Sequence, residues 1–377
     1  MSLFLTIYVF VYGGMNAYLF IKARGAFALG TRSSVALGLF MLFMIAAPIL
    51  VRLVEHNSGD ASLARVLAWV GYTWFGLVFP FFASGFMVEP AVLIARKLGL
   101  ATAGGQRAVF VAQAAVIVAV YAYGLYEATH LRVEHLRIET AKLTEGPVRV
   151  VQVSDIHLGL LVGRGRLQDI VETVQAERPD MIVCTGDLMD GLTTDAHELW
   201  GMFAALTPPM GKYAVLGNHE YYAGLDYSVR FIGQSGFTLL RDEAADAGRG
   251  VRVVGVDFRE SRRMMGPTAP LDEAALLGEP GGDGFTLLLK HAPVVEAASL
   301  GRFDLMLSGH THKGQIYPFQ HIVKLVYPYL AGLYDLGQGS ALYVNRGTAT
   351  WGPPIRVFSP PEVTVIDLVP AGAPGGG

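Results

Sequence analysis

The 377-residue chain contains a single cysteine, Cys184. That excludes an intramolecular disulfide framework and a thiolate metal cluster. It leaves the compartment open, because a chain without disulfides can live on either side of a membrane. Charge is scarce as well. Asp, Glu, Lys and Arg make up 16% of the residues, against about 25% in ordinary soluble domains. The formal net charge is -3 and no basic run occurs, so the electrostatic footprint of a nucleic-acid binder is absent and no nucleic-acid partner is expected. No internal repeat is present.

Apolar residues are plentiful, at 52%, and the excess sits almost entirely before residue 128. Four apolar stretches, 3–21, 35–53, 66–86 and 108–126, are close to the roughly 20 residues a membrane-spanning helix needs. Charges flank them: Lys22, Arg24, Arg52, Arg65, Arg96, Lys97 and Arg107. Tyr8, Tyr12, Tyr18, Trp69, Trp74 and Tyr121 suit interfacial and packing positions. The first stretch lacks a basic lead and a small-x-small cleavage site, so it reads as a helix rather than a removed signal. Gly13, Gly14, Gly71, Pro48 and Pro80 are tolerated where membrane helices pack together. The absence of mid-helix charge argues against a channel or pump. A transmembrane region of four helices over residues 1–128 is therefore expected. Lys22, Arg24, Arg32, Arg96, Lys97 and Arg107 in the first and third loops outweigh Arg52, Arg65, Arg132 and Arg137. This bias places both termini and the following domain outside the cytoplasm.

From residue 129 the pattern changes. A polar connector leading into an edge strand fits 129–147. A domain over 148–370 follows, with β-rich runs at 148–153, 181–184, 213–216, 251–256, 285–289, 305–307, 342–344 and 363–368. Between the first two runs, Leu167, Ile170, Val171 and Val174 recur at helical spacing. Alternating strands and helices predict an α/β domain, whose chemistry gathers beyond the carboxyl ends of its strands. Residues 371–377, rich in glycine, read as a disordered tail.

Five short clusters sit just after such runs: Asp155-Ile-His157, Gly186-Asp187, Gly217-Asn218-His219-Glu220, Lys290-His291 and Gly309-His310-Thr-His312. Singly, most have plain explanations: a chance Asp-x-His, a turn, an Asn helix cap, a loop histidine. Together, in this order, they hold five of the ten histidines. Oxygen and nitrogen donors without sulfur suit Mn, Fe, Zn or similar divalent ions. On an extended chain, Asp155 and His157 would point the same way, as would His310 and His312. A carboxylate such as Asp187 can serve two ions, and two ions about 3.5–4 Å apart activate water and clamp a phosphoryl group.

This succession resembles the calcineurin-like metallophosphoesterase superfamily over residues 148–368. The stretches Val153-Ser-Asp-Ile-His-Leu-Gly159, Val162-Gly-Arg-Gly-Arg166, Thr185-Gly-Asp-Leu-Met-Asp190, Gly309-His-Thr-His-Lys-Gly-Gln315 and Asn345-Arg-Gly-Thr348 look like its bacterial branch of membrane-associated phosphodiesterases, and the chain is also similar to transmembrane metallophosphoesterases. The resemblance implies a four-layer α/β/β/α sandwich with a dinuclear centre. Asp155, His157, Asp187 and His312 would hold one ion and Asp187, Asn218, His291 and His310 the other. Asp187 would bridge them, together with a hydroxide that attacks phosphorus. His219 would lie beside the substrate, to stabilise the developing charge or protonate the leaving oxygen; the adjacent Glu220 is a candidate to orient it. Lys313 departs from the branch, where glycine is frequent.

The expected activity is hydrolysis of a phosphodiester or pyrophosphate bond in a lipid-linked substrate, with a phosphomonoesterase or a non-catalytic metal-binding membrane protein as alternatives. The expected setting is the bacterial inner or cytoplasmic membrane, with the bilayer as partner and the catalytic domain extracytoplasmic. Arg346 is a candidate phosphate clamp or the partner of an acid. Arg164 and Arg166 read as a solvated turn. The apolar segments 316–319 and 325–330 pack on the sheet or meet lipid.

Overall fold

The computed structural model describes residues 3–57, 61–100, 103–191, 196–259, 266 and 271–372. It divides into two compact units, the first taking in Met1–Glu127 with Ile316–Pro318 and Gly352–Val357, the second the remainder.

In the first unit four helices follow one another: α1 (Leu3–Phe27), α2 (Thr31–Asn57), α3 (Ala61–Lys97) and α4 (Ala103–Thr129). Three apolar spans among the described residues, Thr31–Glu55, Ala61–Lys97 and Gly105–Thr129, are long and apolar enough to cross a membrane. The expectation of four is corrected to three. Helix α1 forms as well, with Tyr8, Tyr12, Asn16, Tyr18 and Lys22 along it. Outward-facing Phe10, Leu39, Leu42 and Val118 are exposed, a surface that suits hydrocarbon rather than water. Inside, several polar groups are paired. The Trp74 indole N–H donates to Asn16 Oδ1 at 2.9 Å, and the Asn16 amide donates to the Tyr12 carbonyl at 2.9 Å. Glu89, a charge within α3, is neutralised by Lys22 at 2.5 Å and accepts from the Tyr18 hydroxyl at 2.9 Å, as a low-dielectric setting demands. Ile316, Ile355 and Val357 pack into this unit against Tyr12, Met15, Val78 and Phe79.

The second unit holds two six-stranded mixed sheets. The first contains β1 (Arg132–Thr140), β2 (Val148–Val153), β3 (Met181–Cys184), β4 (Lys212–Ala214), β5 (Thr238–Leu239) and β12 (Glu362–Pro370), in the order β1-β12-β2-β3-β4-β5. The second contains β6 (Glu243–Gly248), β7 (Val251–Val256), β8 (Phe285–Lys290), β9 (Leu305–Ser308), β10 (Gly332–Gly337) and β11 (Ser340–Val344), in the order β10-β11-β9-β8-β7-β6. Strands β2, β3, β4 and β5 run parallel, as do β7, β8, β9 and β11, so their carboxyl ends share one edge in each sheet.

The side-chain period of two sorts the apolar residues into layers. Val148, Val150, Met181 and Val183 meet Leu287, Leu289, Leu305 and Leu307 between the sheets. Val151, Val153, Ile182 and Cys184 face the other way, toward helices α5 (Arg164–Ala176), α6 (Ala196–Ala204) and α8 (Leu225–Gln234), which follow one another around the short α7 (Asn218–Ala223). Helix α5 buries Leu167, Ile170, Val171 and Val174, the stripe its spacing predicts. On the far face Val254, Leu288 and Met306 pack with Leu277 of α9 (Glu273–Leu277). Strand β1, in the stretch read as a connector and edge strand, lies at the sheet edge and pairs with β12 along its whole length. Of the expected tail, residues 373–377 lie outside the described residues, and Ala371 is tied by its N–H to the Thr140 carbonyl at 3.0 Å.

Lys212 of β4 is buried and donates to the carbonyls of Phe203 and Ser235 at 2.5 and 2.8 Å, at the carboxyl ends of α6 and α8. Charge-assisted bonds to orphan end carbonyls are worth about 1.5–3 kcal/mol each. Lys212→Met is expected to destabilise the second unit by roughly 2 kcal/mol, read as a lower urea midpoint in tryptophan fluorescence. An unchanged midpoint would mean that water replaces the ammonium without loss.

Candidate metal centre

Each expected ligand follows a strand end. Asp155 and His157 follow β2, Asp187 follows β3, Asn218 and His219 open α7 after β4, His291 follows β8, and His310 and His312 follow β9. The expected reason, two side chains on the same side of an extended chain, is not the observed one. Asp155, His157, Asp187, His310 and His312 all have left-handed backbones, with φ of 52°, 54°, 53°, 70° and 47°. Such conformations cost about 1–3 kcal/mol each outside glycine and persist where surroundings over-determine them. Lys313 shares the conformation at φ 50°, which accounts physically for a position that favours glycine. Gly186 has φ 91°, and a Cβ there would lie 2.7 Å from His291 Nδ1. A Cβ on Gly309 would collide with Ser154 Oγ and the Asp155 carboxylate.

These turns gather buried donors into overlapping groups: Asp155 with His157 and His312, His157 with Asp187 and His219, and Asp187 with His291 and His310. In the first, His157 Nε2 lies 3.1 Å from His312 Nε2, which is 3.4 Å from Asp155 Oδ1. In the last, His291 Nε2 lies 3.0 Å from His310 Nδ1, 3.1 Å from Asp187 Oδ2 and 3.2 Å from Asn218 Oδ1. Asp187 Oδ2 is also 3.8 Å from His157 Nε2, so one carboxylate reaches both ends. At most one proton can sit between two ring nitrogens. The other lone pairs converge on common points, which is what a cation requires. All donors are nitrogen or oxygen, so the set fits divalent ions of the Mn, Fe or Zn kind.

Neighbouring groups orient the donors. His291 Nδ1 faces the Thr185 carbonyl at 2.8 Å, leaving Nε2 to the cluster. His310 Nε2 pairs with the Tyr327 hydroxyl at 2.9 Å. Asp190 meets His219 Nδ1 at 2.6 Å and lies 4.0 Å from His157 Nδ1. Asp190 stood in the Gly-Asp-Leu-Met-Asp stretch with no role attached; only the folded turn brings it to His219.

Two expectations, for Glu220 and Arg166, are corrected, and for Arg346 the acid-pairing alternative is the one observed. Glu220 does not orient His219: its carboxylate accepts the N–H groups of Asp187, Met189 and Gly217 at 3.0, 3.0 and 2.7 Å, stapling two ligand turns together. Arg346 pairs with acids, Glu134 at 2.6 Å and Glu362 at 2.5 Å, and donates to the Pro360 carbonyl, so its fork is engaged rather than offered to phosphate. Arg166 is not on a solvated turn but donates to the carbonyls of Thr129 and Thr348.

A family model described as calcineurin-like phosphoesterase matches residues 148–314. An uncharacterized metallophosphoesterase of Aquifex aeolicus is 37% identical over 249 residues, covering 66% of this chain and 95% of that protein. The chain belongs to the calcineurin-like phosphoesterase family. A transmembrane protein with metallophosphoesterase domain from Danio rerio is 34% identical over 269 residues, 68% of this chain, which spans only 62% of that protein. A solved putative 5'-nucleotidase from Staphylococcus aureus is similar at TM-score 0.35 and 14% identity, covering 59% of this chain and 55% of that one, too slight a likeness to bear on substrate.

The family uses divalent metals, and the electrostatics of this metallophosphoesterase centre agree with that demand. Burial works against charge on Asp155 and Asp187, yet His312 beside the first and His291 beside the second hold both carboxyls well below the usual range. Burial also opposes charge on His291, but Asp187 outweighs it and lifts the imidazole to about 9. Burial and His219 push His157 down to about 3, and burial and His291 push His310 down to about 4. Protonated His291 is thus the counter-charge that a cation replaces. Manganese affinity should rise about ten-fold per pH unit from 6 to 8, because the His291 proton must leave. Calorimetry in buffers of differing ionisation enthalpy reads that release directly. An affinity flat across this range would mean that His291 is neutral before metal binds.

Proposed function

We propose that the chain hydrolyses a phosphodiester or pyrophosphate bond of a lipid-linked substrate, with two divalent ions. The observation that carries the reading is the convergence of buried donors in overlapping groups that share Asp187 and His157, next to an Asp190–His219 pair. Asp155, His157, Asp187 and His312 would hold one ion, and Asp187, Asn218, His291 and His310 the other. Ions so held lower the pKa of water and neutralise phosphoryl charge. The protein's own groups do the rest. Asp190 accepts from His219 Nδ1, which turns Nε2 toward the substrate. The Asp190 carboxylate, 2.6 Å from His219 Nδ1, favours the protonated imidazole that would deliver a proton to the leaving oxygen.

Two features favour a diester or pyrophosphate over a monoester, and lipid over a soluble ester. The Arg346 guanidinium is committed to Glu134 and Glu362, so it does not serve the extra charge of a monoester. Helix α10 (Gln320–Val326) buries none of its residues. It exposes Ile322, Val326 and Leu325, the last at 85%, and leads directly into Tyr327, the partner of His310. An apolar helix of this kind beside the centre suits a bilayer surface or an acyl chain, in a chain with three candidate membrane spans. The loop charges favour an extracytoplasmic site.

With manganese, the detergent-purified chain should turn over bis(p-nitrophenyl) phosphate faster than p-nitrophenyl phosphate. Asp187→Asn should abolish turnover and His219→Ala should lower kcat by about 10²–10⁴-fold. Turnover of the monoester alone would make the protein a phosphatase. Two bound ions with no turnover of either ester, or of lipid-linked substrates, would favour a metal-binding membrane protein without catalysis.

A further inference from the structure

The motif from Gly309 to Gln315 supplies His310 and His312, yet its last residue does something else. Gln315 is buried, and its side-chain amide grips the backbone of Trp351 at both ends. It donates to the Trp351 carbonyl at 2.8 Å and accepts the Trp351 N–H at 2.9 Å. A residue 36 positions away is thereby tied to the ligand loop itself. What this double bond presents is an indole left 49% exposed. Its ring centre stands 5.5 Å from that of His219, at 70°, and 6.5 Å from that of His157. Tyr222 on α7, 56% exposed, lies 5.4 Å from His219 at 72°. His219 therefore has two aromatic neighbours that are each about half exposed.

Core packing does not call for a tryptophan with half its surface in solvent. Half-exposed aromatic rings next to a proton donor fit a binding role, because ring–ring contacts add specific attraction to apolar burial. We infer that Trp351 and Tyr222 form a subsite for a flat ring carried by the leaving group, with Gln315 as the positioning residue that fixes Trp351. The inference rests on the proposed place of His219 at the leaving oxygen: a group bonded to that oxygen lies over these two side chains.

The test is calorimetric binding of phenyl phosphate, methyl phosphate and inorganic phosphate to the full manganese-loaded chain. Wild type should bind phenyl phosphate about ten-fold more tightly than methyl phosphate, the scale of one good ring contact. Trp351→Ala should erase this preference while leaving inorganic phosphate affinity and bound manganese unchanged, and Trp351→Phe should restore most of it. Gln315→Ala should lose a large part of it with Trp351 still present. A preference that survives Trp351→Ala, or a wild type that binds both esters alike, would overturn the subsite. Binding needs no turnover. Failure to hydrolyse any ester would therefore count against the proposed activity alone.

Discussion

Two carboxylates, Asp155 and Asp187, lie fully buried within reach of the same histidines, and the architecture around them answers to that constraint. A buried charge is costly unless it is paired and hydrogen-bonded. Here backbone N–H groups supply part of the compensation: that of His310 donates to Asp155, and that of His219 donates to Asp187 at 2.8 Å. Imidazoles supply the rest. The arrangement holds excess negative charge on one side and convergent lone pairs on the other, and a cation satisfies both.

The left-handed turns at Asp155, His157, Asp187, His310 and His312 follow from the same demand. Parallel strands deliver five loops to one edge, but a strand end alone would send alternate side chains to opposite faces. The left-handed backbone at these five residues aims their donors inward. Glu220 helps to hold the strain by stapling the Asp187 and Asn218 turns through three N–H groups. Burial and the nearby Asp187 raise its pKa to about 7, so its carboxylate depends on those three bonds. Further out, the Arg346–Glu134–Glu362 pairing ties β1 and β12 to the loop after β11.

Much of this was legible in the sequence, and for stated reasons. The residues that gather into the donor cluster were readable because glycine, acid and histidine recur at strand ends in a fixed order. The strands β2, β3, β7, β8 and β9 were readable because they are buried on both faces and so run continuously apolar. Strand β6, Glu-Ala-Ala-Asp-Ala-Gly, was not, since its residues have little strand preference and only pairing with β7 makes it one. Asp190 and Tyr327 escaped because their roles depend on which loops meet in space. Trp351 escaped for the same reason: nothing local marks a tryptophan as gripped from residue 315. Glu220 was given His219 by proximity in sequence, and folding supplied three backbone N–H groups instead; for Arg346, folding supplied the acids Glu134 and Glu362. Among the apolar stretches, all four formed helices, and three of them meet the length and hydropathy of a membrane span among the described residues.

Anomalous diffraction at the manganese edge, from crystals of the full chain grown with manganese, bears most directly on the central claim. The account predicts two peaks about 3.5–4 Å apart, one among Asp155, His157, His312 and Asp187, the other among Asp187, Asn218, His291 and His310. A single peak, or none at saturating manganese, would contradict a dinuclear centre built on Asp187.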